Sequence, residues 1–362
     1  MRILQAALLT FGLASPLFSG DPSSSKPSTP AWNSQSAESY LDGRLAWWSQ
    51  WKNSARDHET FCVSCHTVAP YAVSRLTVKE KTPSENEAKL ITNVVKRVRM
   101  WDEVEPYYSD QRGAGKSAES RGTESILNAL VLASYRSSGA GTDADLKLAL
   151  DRMWATQLTS GEAKGAWNWL QFHNAPWEGD SQFYGASLAA LAVGASPAEY
   201  RSAAEENIKS LREYLRKNYA SQKLNDRLIL LWASTKLSGL LSSAEQKSIV
   251  ADALGKQQAD GGFSSTDLVS PWTRADKTPL ETKSDGYATG LVALVLQEAA
   301  ISSQDAKLRS ALVWLAKNQE SSDGRWLAYS LNKQRDLNTD VGRFMADAAT
   351  AYAASALTRA SH

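Results

Sequence analysis

The sequence is poor in residues that bind metals or staple small folds, with two cysteines, four histidines and four methionines in 362 residues. A disulfide framework and a four-cysteine zinc site are both excluded. Charge of one sign is also missing. Forty Lys+Arg stand against 39 Asp+Glu, a formal net charge of +1, and the clustered basic excess of a nucleic-acid binder is not present. Runs of β-branched residues bounded by hairpin turns are absent from residue 37 onward, which argues against a sheet-built domain. The one long uncharged apolar stretch, Ile3 to Phe18, falls short of the about 20 residues that a membrane span needs. No span is expected in the mature chain.

That stretch follows Arg2 and reads as an export signal over residues 1–20, which places the protein in the periplasm or outside the cell. Residues 21–36, rich in Ser and Pro, read as a disordered linker. The folded domain is then 37–362.

Within it the apolar periodicity is close to 3.6, so the expected class is all-α. Amphipathic, charged helices alternate with small, Ala/Leu-rich ones. The first kind covers 38–51, 87–100, 143–157, 197–219, 243–258 and 304–319; the second covers 68–76, 123–135, 179–193, 225–237, 285–298 and 340–357. A helix polar on one face lies outside and one apolar all round lies inside, so six outer–inner hairpins are expected, able to close into an (α/α)6-like ring. Lys96-Arg97-Val98-Arg99 reads as a solvated helix face. Gly113-Ala114-Gly115-Lys116-Ser117 lacks the preceding strand of a phosphate loop.

A phrase recurs after the outer helices: Met153-Trp154, Gln157 and Gly165-Ala166-Trp167; Gln257-Gln258-Ala259-Asp260-Gly261-Gly262-Phe263; Trp314-Leu315, Gln319 and Asp323-Gly324-Arg325-Trp326. It resembles the Gln-Trp repeat of squalene cyclases and the Gly-Gly-Phe repeat of protein prenyltransferase β subunits. The resemblance covers roughly residues 85 to 360. It implies a toroid of paired helices and an apolar or isoprenoid-like ligand. Neither family's chemistry carries over residue by residue. The nearest match to the cyclases' Asp-x-Asp-Asp segment is Asp143-Ala144-Asp145-Leu146, and the zinc ligands of the prenyltransferases have no counterpart.

The outer-to-inner connections are long and the reverse ones short, so one face carries the elaborate loops, where function concentrates. Glu124, Asp180, Asp226, Asp285 and Asp340 sit near the starts of inner helices on that face. They read either as helix caps or as a ring of carboxylates suited to acid–base work. Asp180 and Asp285 are the catalytic candidates, because Tyr184 and Tyr287 follow within a turn. Trp169, His173, Tyr184 and Tyr287 are the candidate ligand-binding residues, with packing between hairpins as the alternative.

Both cysteines fall in Cys62-Val63-Ser64-Cys65-His66, the C-x-x-C-H spacing of c-type haem attachment. Two thiols at that spacing reach the two vinyl groups of a porphyrin, and the following imidazole lies beneath the iron. One covalent haem c on Cys62, Cys65 and His66 is expected, with His66 as iron ligand. Met100 is the first candidate for the opposite position, ahead of Met345, His173 and His58 or an open site. Such a protein would transfer electrons to a redox partner or carry out haem-linked oxidation of an apolar ligand. The competing readings are a Cys62–Cys65 disulfide or a redox dithiol. With a disulfide, the toroid would be haem-free and use its carboxylate and Trp rim on a terpenoid or carbohydrate.

Overall fold

The computed structural model describes residues 31–76, 82–139, 141–179 and 181–361. Residues 1–20, read as an export signal, the first ten residues of the segment read as linker and Asp180 lie outside the described residues. The protein is all-α. Its elements are α1 (Ser34–Gln50), β1 (Ala55–Arg56), β2 (Thr60–Phe61), α2 (Val68–Ser74), α3 (Glu85–Arg99), α4 (Lys116–Tyr135), α5 (Asp143–Ala155), α6 (Phe183–Gly194), α7 (Ala198–Ala203), α8 (Glu205–Asn218), α9 (Leu224–Ser234), α10 (Ser243–Leu254), α11 (Ser265–Val269), α12 (Gly286–Glu298), α13 (Ala306–Lys317) and α14 (Phe344–Ala360). No helix among the described residues is long and apolar enough to cross a membrane.

The alternation read from the sequence is realised in burial. Every residue of α6 from Phe183 to Val193 is buried, whereas α10 buries only Ile249 and Ala253. Outer helices start on local signals. Ser84 and Glu87 form a capping box on α3, Ser242 and Glu245 another on α10, and Thr142 and Asp305 cap α5 and α13. The inner helices α2, α4, α6, α9, α12 and α14 touch in that order, and α14 meets α2, so the contacts are cyclic.

The recurring Gln phrase works as a clamp between successive outer helices. Gln157 Nε2 donates to the Gly165 carbonyl at 3.0 Å and to Asn207 of α8 at 3.1 Å. Gln257 Nε2 donates to Gly261 at 2.9 Å and to Lys307 of α13 at 2.7 Å. Gln319 Nε2 reaches Gly324 and Asn33, both at 2.9 Å, and so joins the last hairpin to the first helix. The following aromatic seals the joint: Trp167 Nε1 donates to Met153 O at 2.6 Å and Trp326 Nε1 to Leu315 O at 2.8 Å. Gly165 has φ +93° and a Cβ there would lie 2.1 Å from Ser210 O, so no other residue fits.

Three expectations need correction. The helix begins at Ser34, inside the segment read as linker, because Asn33 caps it at 3.0 Å and Trp32 packs on Trp326 with ring centroids 6.0 Å apart. The Gly-Ala-Gly-Lys-Ser segment opens α4, which starts at Lys116, seven residues earlier than the apolar pattern showed. Arg97 is fully buried rather than solvated, paired with Glu124 at 2.5 Å and bonded to Thr60 Oγ1 and Glu105 O, both at 2.7 Å. Its charge is offset by a buried carboxylate, which a run of basic residues in sequence does not reveal.

Candidate functional site

The C-x-x-C-H segment runs from β2 into α2. Ser64 Oγ accepts the Thr67 and Val68 N–H groups at 3.2 and 3.1 Å, so the second of the two residues between the cysteines satisfies free N–H groups at the start of the helix that follows His66. Trp48 Nε1 donates to Cys62 O at 2.7 Å and the Cys62 N–H to Ser54 O at 2.9 Å, which ties the turn to α1. Both thiols are free and buried. Burial pushes Cys62 up to about 11 and Cys65 well above the ordinary thiol value. A redox dithiol needs the opposite shift on its attacking sulfur.

His66 is oriented by a relay. Its Nδ1 lies 2.8 Å from Thr67 Oγ1, and the Thr67 hydroxyl donates to Asp347 Oδ2 at 2.6 Å. Asp347 also accepts from Tyr40 and Arg44, both at 2.8 Å, so it remains an acceptor. The Thr67 proton being committed to Asp347, its oxygen accepts from His66 Nδ1–H. That fixes the tautomer and leaves the lone pair on Nε2, the arrangement of a metal-ligating histidine. Burial, with Arg44 and Arg335 nearby, lowers His66 to about 3, so the imidazole is neutral.

His66 lines a cavity of about 1030 Å³, at the top of the range of about 300–1,000 Å³ for cofactor and small-molecule sites. Its ring stacks on Phe344 at 3.7 Å and meets Trp48 edge-on at 5.0 Å and Trp177 at 5.8 Å. Trp51, Phe172, Tyr108 and Met345 add apolar wall, and Lys52, Arg56, Arg112 and Arg335 add positive charge. Arg56 Nε, Trp177 Nε1 and Asn332 Oδ1 are buried on this wall without a hydrogen-bond partner. Glu178 faces the cavity, bonded to Asn174 Nδ2 at 3.0 Å, and burial pushes its carboxyl up to about 7.

His66 and the aromatic walls suit a planar porphyrin-like group, and the two thiols, which lie behind the wall, would have to turn toward the cavity for covalent attachment. The site offers a neutral imidazole with its Nε2 unoccupied, aromatic walls, and polar atoms without a partner. Cys62 and Cys65 are buried and do not themselves line the cavity. Among the described residues no group of three or more His, Cys, Asp or Glu is placed to hold a metal ion.

Of the other sequence candidates Met345 lines this cavity, and the rest of those described lie apart from it. Met100 is the C-cap of α3 and is not on the wall, whereas Met345 is. His58 is exposed beside Asp57 in the β1–β2 turn. Asp285 caps α12, accepting from Ala288 N at 3.0 Å and from Ser265 N and Oγ at 2.7 and 2.8 Å. Asp340 pairs with Arg44 at 2.7 Å, and Glu124 with Arg97. Trp169 is fully buried and donates to Trp177 O, while the Tyr287 hydroxyl donates to Asn225 at 2.9 Å inside the core. His173 stacks on Trp272 at 4.3 Å in a separate groove. Tyr184 and Asp226 share a pocket of about 170 Å³. Sequence reasoning missed Glu178, Arg335 and the Thr67–Asp347 relay. The hydroxyl directly after His66 was the available signal.

Set against known proteins, the chain matches no family model and no curated protein.

Proposed function

We propose that this chain is an exported haem c protein built on an α/α toroid, with one haem attached through Cys62 and Cys65 and ligated by His66. It acts in the periplasm or outside the cell, in electron transfer with a redox partner or in haem-linked oxidation of an apolar, isoprenoid-like ligand. The observation that carries the reading is the His66–Thr67–Asp347 relay, which engages Nδ1 of a histidine that lines a large aromatic cavity. The cyclic contacts of the inner helices and the Gln clamps support the toroid and the likeness to the cyclases and prenyltransferases. When bound, the haem supplies one-electron chemistry. The chain's own residues hold the imidazole neutral and in one tautomer, and shield it with Trp48, Trp177 and Phe344. Met345, already on the cavity wall, replaces Met100 as the residue that would serve as a second iron ligand.

The test is the intact mass of protein expressed with export and haem-attachment machinery. The expected product carries one haem and a Soret band that survives denaturation and acid-acetone extraction. Cys62→Ser with Cys65→Ser should abolish covalent retention, and His66→Ala should alter the iron spectrum. A chain without haem, oxidised at Cys62–Cys65, would overturn the reading.

A further inference from the structure

We propose that Arg56 and Arg335 form a carboxylate-binding subsite in this cavity, so that it takes a planar, largely apolar ligand bearing at least two carboxylates. The inference shares the cavity with the reading above but does not depend on covalent attachment.

Four buried arginines of this protein each face a carboxylate. Arg44 is paired with Asp347, Arg75 with Glu87, Arg97 with Glu124 and Arg274 with Glu281. A guanidinium removed from water without a counter-ion is costly, and these pairs avoid that cost. The cavity wall holds two less deeply buried arginines with no carboxylate partner, a state shared by Arg343 beside the wall. Arg335 is partly buried there and makes no hydrogen bond or ion pair with the described residues. Arg56 uses Nη1 on the Asn53 and Ala55 carbonyls at 3.1 and 2.7 Å, and its Nε is buried without a partner. Trp177 is 5% exposed and has an equally unpartnered Nε1 on the same wall. Glu105 and Glu178 also line the cavity, yet neither is within ion-pair distance of these arginines, and the Arg56 guanidinium meets only the faces of Tyr107 and Tyr108, at 5.8 and 5.1 Å. Burial alone lowers the Arg335 pKa from its ordinary value, consistent with a cation that lacks its anion. Guanidinium groups match carboxylates in two-point geometry, and the ring-lined wall favours an aromatic plane over a free inorganic anion.

The experiment uses the full chain carrying Cys62→Ser and Cys65→Ser, titrated with metal-free protoporphyrin IX and with its dimethyl ester, followed by quenching of tryptophan fluorescence. The diacid should bind about tenfold or more tighter than the diester, the scale of one charge-assisted hydrogen bond. Arg56→Gln with Arg335→Gln should remove that difference while the diester binds as before, which shows that the cavity is still folded. Equal binding of diacid and diester before the arginines are changed would overturn the proposal. So would a preference for the diacid that survives the double arginine change, or loss of both ligands together. Diacid preference in a protein that never acquires covalent haem would sink the haem c reading and leave this subsite standing. Covalent haem without the preference would do the reverse.

Discussion

Gln319 Nε2 donates to the Asn33 carbonyl at 2.9 Å, across 286 residues of chain. Gln319 Oε1 accepts the Asn33 N–H in return at 2.8 Å, so a single amide joins the end of α13 to the start of α1. Gln157 and Gln257 make the same link within the chain, to Asn207 and Lys307. Gln319→Ala removes these bonds and the one to Gly324. With each bond worth roughly 0.5–1.5 kcal/mol net, and the site partly exposed, the expected loss is about 1–2 kcal/mol. Urea unfolding would measure it, and an unchanged midpoint would deny the clamp an energetic role.

Two glycines separate conformational strain from steric clash. Gly161 and Gly165 both have positive φ, at 76° and 93°, but a Cβ on Gly161 meets nothing within 4 Å while one on Gly165 would lie 2.1 Å from Ser210 O. Gly161→Ala should therefore cost about 1 kcal/mol, the price of the left-handed region alone. Gly165→Ala must also push α8 away and should cost clearly more. Equal effects in paired thermal melts would show that the interface yields.

Much of this architecture was legible because it rests on local chemistry. The capping boxes, the burial of α6 and the Gln phrase are each written within a few residues, and the outer–inner alternation follows from them. What was not legible depends on partners far apart in the chain. Arg97 looked solvated until Glu124 came to face it, and the Ser265 partner of Asp285, twenty residues away, could not be read beside its two possible roles as cap or acid. The Cys62–His66 turn was found from its spacing. Its supporting group, Asp347, comes from the last helix, 280 residues beyond Thr67.

The Thr67 relay can be tested without disturbing packing. Thr67→Val keeps the shape and removes the hydroxyl that accepts from His66 Nδ1 and donates to Asp347. The His66 Nδ1–H is left without its acceptor, while Asp347 Oδ2 keeps the Arg44 Nη2 donor at 3.1 Å, so stability should fall by about 1–3 kcal/mol. In haem-loaded protein the imidazole also loses its outer partner, and the reduction potential should shift. Nitrogen NMR of labelled histidine in the unloaded protein gives a separate readout. If His66 still shows a single Nδ1–H tautomer in the variant, the relay does not set it.

Glu178 gives the pH dependence. Its folded carboxyl is raised from 4.5 to about 7, with burial as the main cause. Between those values the folded state binds more protons than the unfolded one, so this group's contribution to stability falls as pH rises through the window. Glu178→Gln removes that term. The variant should be more stable than the parent at pH 8, with the advantage shrinking toward pH 4.5. Urea midpoints at pH 4.5, 6 and 8 would check this, and parallel curves for the two proteins would reject it.

Asp285 decides between a cap and a catalytic acid. Both oxygens are occupied, Oδ1 by Ala288 N and Ser265 Oγ and Oδ2 by Ser265 N, and the side chain is buried away from the His66 cavity. Desolvation pushes its pKa up to about 6 against the pull of these donors. A helix cap alone is worth about 0.5–2 kcal/mol, and here a second segment, at the start of α11, depends on the same carboxylate. Asp285→Ala should therefore cost about 2 kcal/mol or more, since it also strands the Ser265 N–H. Asp285→Asn should recover part of that, because one amide oxygen can still cap α12. Haem content and porphyrin affinity should stay at the parent level in both variants once they are folded. A variant that keeps its stability while losing turnover of an apolar ligand would instead return Asp285 to the role that its position beside Tyr287 suggested.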